Sequence, residues 1–404
     1  MLLSGNSDII QDKNLFDGNA YFVSPNKDSH IPYSSLKTPL NFNASISYAL
    51  SAFSTLTSSE SGKDSNVSEV DITSLSQISS RFVFSAIQNH KGKAKKDKRF
   101  SCDLKNKSRK EDVYQDLPLL IALKNRNAPS LQELYGSFSE ILGSGSGGKV
   151  HSTYSIDTGK KYAVKKFRSI RGSESRRHYY ENISNEIYIG ASLDHPNIIR
   201  TIDVAMEDGQ IHQVMEFCSM DLVSLFKGVQ ISQSQINQYF VQMMTSLRYL
   251  HRRGVAHRDL KLENFCLGED GLLKLIDFGC AFIFNDSLNR NTHKLATSIT
   301  GTDPYIAPEV HEGSAYDAAK ADVWSAAIVL ICMVLRKFPW EQARMTDKGY
   351  ANYLKYRHED RFFRNIPSDS LPLLRSMLNP NPCRRPTVEE VFMDPWFQSL
   401  LNIQ

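Results

Sequence analysis

The segment His257-Arg258-Asp259-Leu260-Lys261-Leu262-Glu263-Asn264 and, thirteen residues later, Asp277-Phe278-Gly279 bring together side chains suited to one kind of chemistry. Moving a phosphoryl group from a nucleotide to a hydroxyl needs a group that accepts the hydroxyl proton. It also needs oxygen ligands for magnesium and positive charge on the transferring phosphate. Asp259 answers the first need, Asn264 and Asp277 the second, and Lys261 the third. Either string alone can arise by chance. Both together, in this order and at this spacing, point to phosphoryl transfer.

Such a site needs elements that hold the phosphates. Leu142, Gly143, Ser144, Gly145, Ser146, Gly147, Gly148, Lys149 and Val150 spell a GxGxxGxV loop. Glycines let the backbone close over phosphates and present N–H groups without Cβ collision. A GxGxxG also suits a dinucleotide fold, but there it opens a helix. Here Val150-His-Ser-Thr-Tyr-Ser-Ile156 alternates as a strand, and Lys160-Lys-Tyr-Ala-Val-Lys-Lys-Phe167 reads as the next, after the turn at 157–159. Ala163, Val164 and Lys165 then lie on a third strand, from which Lys165 reaches the α- and β-phosphates. An anion must hold that lysine. Glu186 is chosen over Glu174 and Glu181, because it lies on a predicted helix at the right distance before the breaker His195-Pro196-Asn197.

Downstream, Gly301-Thr-Asp-Pro-Tyr-Ile-Ala-Pro-Glu309, Ala321-Asp322-Val-Trp-Ser325 and Pro382-Cys-Arg-Arg385-Pro386 complete a pattern over 137–398 that resembles the eukaryotic protein kinase family. The resemblance implies an α+β, bilobal fold with a small β-rich N-lobe and a larger helical C-lobe. It implies ATP and Mg2+ as cofactors, and protein substrates. It also implies a Glu309–Arg385 ion pair anchoring the large lobe, and Asp322 capping the backbone of the 257–264 loop. The adenine site it implies takes in Ala163, Met215 as gatekeeper, and the backbone around Glu216 and Cys218. Asp221 either reaches the ribose or caps the next helix. Lys261 after Arg258-Asp259-Leu260 is similar to the serine/threonine class. Arg258 suggests control by a negative charge in the activation loop, with Ser298 the first candidate acceptor and Thr297 and Thr300 behind it. Thr302 is expected to pack against Asp259 and Lys261. Glu263 resembles a carboxylate that meets basic substrate residues, but Cys332 stands where a second acid is often found, so only a mild basic preference is expected.

Some positions depart from the family pattern. Gly147 replaces a common aromatic, which predicts a looser loop tip. Gly190, one turn after Glu186, replaces a bulky apolar residue that packs on the phenylalanine of Asp-Phe-Gly, which predicts a less rigid helix and stronger dependence on activation. Ala327 and Cys280 are small changes expected to be tolerated.

The stretches Cys218-Ser-Met-Asp-Leu-Val-Ser-Leu225, 301–309 and Lys337-Phe-Pro-Trp-Glu-Gln-Ala-Arg-Met345 further resemble the fungal nitrogen-permease-reactivator and halotolerance kinase group. That resemblance implies plasma-membrane nutrient or cation transporters, or their endocytic adaptors, as targets.

The chain has 404 residues and a net charge of +4, too mild to argue for nucleic acid. Its six cysteines are scattered without a CxxC pair, which predicts reduced thiols, no zinc site and a cytoplasmic setting, with the nucleus or membrane periphery as alternatives. The N-terminal sequence shows no secretion signature. Residues 1–90 are rich in serine and asparagine without helix or strand period, and predict a disordered tail. Residues 91–136 follow as a basic linker. Its lysine-rich run (91–99) suits a nuclear import signal, an anionic-lipid contact or a solvated linker, and lacks interleaved aromatics for nucleic-acid stacking. Its short apolar stretch, Leu119-Leu-Ile-Ala-Leu123, is expected to dock on the small lobe. Two functions from different classes follow: an active serine/threonine kinase, with an upstream kinase acting on its loop, or a scaffold with a kinase fold that binds partners through the tail. A scaffold usually lacks one of the chemical groups, and none is missing here.

Overall fold

The computed structural model describes residues 118–124, 128–172, 174–286 and 289–402. The 1–90 tail and the lysine-rich run lie outside the described residues. Among the described residues two short helices come first, α1 (Pro118–Lys124) and α2 (Leu131–Tyr135). Strands β1 (Ile141–Gly145), β2 (Gly148–Tyr154), β3 (Lys161–Phe167), β4 (Thr201–Glu207) and β5 (Gln210–Glu216) form an antiparallel sheet in the order β1-β2-β3-β5-β4. Helix α3 (Arg176–Ser192) joins β3 to β4.

Alternation along the strands sends successive side chains to opposite faces. On β3, Phe167 faces the cluster of Tyr179, Ile183 and Ile187 of α3, whereas Val164 faces Leu131, Ala205 and Val214. Helix α2 thus covers one face and α3 the other. The α2 turn is fixed by a capping box between Ser130 and Glu133.

After the sheet come β6 (Cys218–Asp221), α4 (Leu222–Gly228), α5 (Gln233–Arg252), β7 (Val255–Ala256), β8 (Phe265–Gly268), β9 (Leu273–Leu275) and β10 (Phe282–Ile283). A hairpin follows, β11 (Asn285–Asp286) with β12 (Asn289–His293). The helices α6 (Pro308–His311), α7 (Ala318–Leu335), α8 (Lys348–Tyr356), α9 (Leu371–Met377), α10 (Val388–Met393) and α11 (Pro395–Leu401) complete the lobe. Helix α7 is apolar on all sides and could span a membrane by length and composition, yet 78% of its apolar window is buried inside the protein. An all-round apolar helix is the pattern of a core element. Against it pack Trp340, Tyr350 and Tyr353, with Trp324 and Trp340 ring centres 5.7 Å apart.

Helices α5 and α10 are tied at Glu389, which accepts from Arg252 Nε at 2.6 Å and Arg248 Nε at 2.9 Å. The bonds from Arg252 and Arg248 hold its carboxyl down at about 2. An unfolded glutamate titrates near about 4.3, so this pairing stabilises the fold above that pH and is lost as pH falls through the depressed value. Its side chain is 35% exposed, and solvent screening limits the contribution to about 1 kcal/mol. Glu389→Gln is therefore expected to lower urea stability by about 1 kcal/mol at neutral pH, with the difference shrinking at about pH 3. A pH-independent difference would contradict this assignment.

Candidate active site

Lys165 points to the α3 side of the sheet, where its Nζ donates to the Glu186 carboxylate and lies 3.2 Å from Asp277 Oδ1. Burial alone would lower the Lys165 pKa, but Glu186 and Asp277 outweigh it and the value is raised, so the ammonium stays charged. Burial also raises Glu186, whose cationic partner is shared with Asp277. Asp277 is itself driven up by burial, yet Lys165 and the Gly279 N–H bring it below its ordinary value. Glu174, the rejected alternative, is bound to Arg168 at 2.7 Å and 2.8 Å, and Glu181 to Arg177 at 2.9 Å.

The loop between β7 and β8 is held from beneath. Asp322, fully buried near the start of α7, accepts the N–H of His257 at 2.8 Å and of Arg258 at 2.7 Å. Arg258 sits at φ 65 and Asp277 at φ 63, the left-handed region. Asp259 gathers the neighbours. Its Oδ2 accepts from Lys261 Nζ at 2.8 Å and Asn264 Nδ2 at 3.3 Å, and its Oδ1 from Thr302 Oγ1 at 2.8 Å. Lys261 also donates to Thr302 Oγ1 at 2.9 Å. Burial opposes the Lys261 charge, but Asp259 overcomes it and the pKa is raised. Asn264 donates to the Asp259 carbonyl at 2.8 Å, so its bonds to Asp259 use the amide nitrogen and not the oxygen.

The glycine loop is a β1–β2 hairpin over Lys165. Gly148 has φ 152, and a Cβ there would lie 2.2 Å from the Lys166 carbonyl, so no larger residue fits. A Cβ at Gly147 would come 3.3 Å from Lys165 Nζ. Gly147 therefore permits a turn that rests directly on the lysine.

Where the adenine site is expected, Met215 pairs with Ala163 across β5 and β3. Glu216 is engaged with Arg200, accepting its N–H at 2.7 Å and donating its own to the Arg200 carbonyl at 3.0 Å. Cys218 pairs with Gly268, and burial and Glu216 push its thiol up to about 12. Asp221 caps α4: its two oxygens accept from the Ser224 N–H and hydroxyl, each at 2.8 Å. These bonds bear out the helix-cap reading of Asp221. Burial raises the Glu263 carboxyl, and Cys332 is wholly buried.

Of the three candidate loop hydroxyls, Ser298 is the one beside Arg258, whose Nη1 donates to it at 2.8 Å while its Nε donates to the Cys280 carbonyl at 2.6 Å. Tyr316, which sequence reasoning missed, donates to the Ser298 carbonyl at 3.0 Å. His251 was missed as well; its Nε2 lies 3.0 Å from Asp322. No local motif marks either residue, because each acts across more than fifteen positions of chain.

The protein kinase domain family matches residues 137–397. The chain belongs to that family. The chain is 34% identical over 303 residues to the nitrogen permease reactivator protein of Saccharomyces cerevisiae, covering 64% of this chain and 38% of that relative. It is 32% identical over 302 residues to serine/threonine-protein kinase PRR2 of the same yeast, covering 67% and 43%. Serine/threonine-protein kinase HAL4/SAT4 is 33% identical over 291 residues, with 68% and 48% covered. The narrower likeness to this fungal kinase group therefore holds. The chain spans less than half the length of each of these relatives.

Proposed function

We propose that the chain is an ATP-dependent serine/threonine protein kinase. The observation that carries this is the convergence on Asp259 of Lys261, Asn264 and Thr302, with Lys165, Glu186 and Asp277 forming a second cluster. Asp259 takes the proton of the substrate hydroxyl as its oxygen bonds to the γ-phosphorus and the bond to the ADP oxygen breaks. Lys261 faces the charge that builds on the moving phosphoryl group, and Lys165, steadied by Glu186, holds the α- and β-phosphates. Asp277 and the oxygen of Asn264 are hard oxygen donors that fit Mg2+, and the Gly147–Gly148 turn gives a backbone cradle for phosphates. When bound there, magnesium neutralises phosphate oxygens. Holding these groups in place before reaction supplies most of the rate. The scaffold reading is disfavoured because every chemical group is present.

Substrates with basic residues near the acceptor suit Glu263. Because one relative is a nitrogen permease reactivator, transporters are proposed targets, with their endocytic adaptors as the alternative, reached from the cytoplasm or the membrane periphery. Phosphate on Ser298, added by an upstream kinase, would meet Arg258 through charge-assisted bonds. Ser298→Ala is expected to abolish an activation of about tenfold that phosphatase reverses in the wild type. If phosphatase affects both proteins equally, Ser298 is not the acceptor. The function itself is tested by incubating the chain with Mg·ATP and a peptide array. Phosphoserine and phosphothreonine are expected, and phosphotyrosine alone, or no product after Ser298 phosphorylation, would overturn the proposal.

A further inference from the structure

The helix that carries Glu186 is held on two sides, and the sides are built differently. Toward the site, Gly190 lies one turn past Glu186 and beside Phe278. A Cβ there would stand 3.5 Å from the Phe278 ring and 3.6 Å from Gln213 Nε2, so glycine leaves these contacts unmade. The adjoining layer is polar, because Gln213 Nε2 donates to Thr201 Oγ1 at 2.8 Å, both residues buried. Nor does Ser175 give the start of α3 a side-chain cap. On the same face Ile189 is buried in a cluster with Leu193 and Phe278, so the inner stripe has one apolar anchor beside the gap left at Gly190.

The outer stripe is different. Tyr179, Ile183 and Ile187, spaced by four, bury in one cluster with Phe167, Val204 and Ile211, and with Leu119 and Leu120 of α1. The two leucines are 5% and 2% exposed, and they lie outside the matched kinase domain, which begins at residue 137. Glu186 is next to Ile187 and three positions from Ile183, so a tilt or roll of α3 that uncovers this stripe also displaces Glu186.

We propose that α1 is a built-in clamp, with Leu119 and Leu120 as positioning residues that hold α3 so that Glu186 meets Lys165. The proposal rests on the kinase reading for its effect on rate, but not for its effect on α3. Without the leucines, the cluster that seats the outer stripe of α3 on the sheet loses two buried members, and the inner face is left to hold α3 through Ile189 beside the gap at Gly190. The segment before the kinase domain thereby sets how much of the enzyme has the lysine–glutamate pair in place.

The test uses the full chain and two readouts, hydrogen exchange across 176–192 and steady-state phosphorylation of a peptide. Leu119→Ala/Leu120→Ala is expected to speed exchange in α3 about tenfold and to lower kcat about tenfold, with the α5 and α7 amides unchanged. Gly190→Ala, whose Cβ fits at ordinary contact distance, is expected to restore much of both in that background, and Leu119→Met/Leu120→Met to retain both. Exchange and kcat within twofold of wild type would overturn the clamp, as would a rise in exchange spread evenly through α5 and α7. A wild-type chain without transferase activity, but with the α3 response intact, would sink the kinase reading and support the clamp.

Discussion

Asp259→Asn is expected to lower kcat by about 10²–10⁴-fold, the range that general-base groups contribute, while nucleotide affinity changes little. The substitution keeps the size of the side chain and one oxygen, so Thr302 or Lys261 retains an acceptor. It removes the lone pair that receives the substrate proton and the charge that holds Lys261. Lys165 and Glu186 are untouched by it, because their contacts run to Asp277 rather than Asp259. Peptide phosphorylation rates and nucleotide titration of the same protein separate the two effects. A loss below tenfold would show that another group takes the proton.

Arg385→Leu is expected to cost about 3–5 kcal/mol of stability, the range for breaking a buried ion pair. The Arg385 side chain is fully buried and donates to both Glu309 oxygens at 2.6 Å and 2.9 Å. It also donates to the Asn379 carbonyl at 3.1 Å and 3.0 Å and to the Lys320 carbonyl at 2.8 Å. Leucine would leave the Glu309 carboxylate buried without its cation and these carbonyls without their donor. A domain of this size loses roughly 2–4 °C per kcal/mol, so the melting temperature should fall by about 10 °C. Lysine is a poor replacement because it lacks the planar fork. Glu309→Leu added to Arg385→Leu should recover part of the loss, since no buried charge then remains. A double variant as unstable as the sum of the single ones would refute that explanation.

Much of this architecture is legible in the chain because local chemistry and order along the sequence specify it. The period of two in Val150–Ile156 and Lys160–Phe167 marks the two strands that run to Tyr154 and from Lys161, and the glycines mark the β1–β2 turn, where no side chain fits at the first residue of β2. The family resemblance supplies the pairing of distant residues such as Lys165 with Glu186 and Glu309 with Arg385. What no pattern could deliver is contact made by geometry alone. Leu131 and Leu119 are both ordinary apolar residues, yet one joins the cluster of Val164 and the other that of Phe167, on opposite faces of one sheet. Tyr316 under Ser298 and Gln213 against Thr201 are likewise unmarked in sequence. Asp221 shows a local signal with two meanings, and its bonds to Ser224 establish the helix cap.

The central claim is most directly tested with Asp277→Asn. Asp277 sits at φ 63, a left-handed conformation that asparagine adopts as readily as aspartate. The variant therefore keeps the backbone and removes the carboxylate charge. Magnesium-dependent transfer of γ-phosphate from ATP to serine and threonine peptides would be measured for wild type and variant side by side. The account predicts transfer by the wild type and its loss in the variant, with an unchanged melting profile. Equal transfer by both proteins, or none by the wild type after Ser298 phosphorylation, would contradict it.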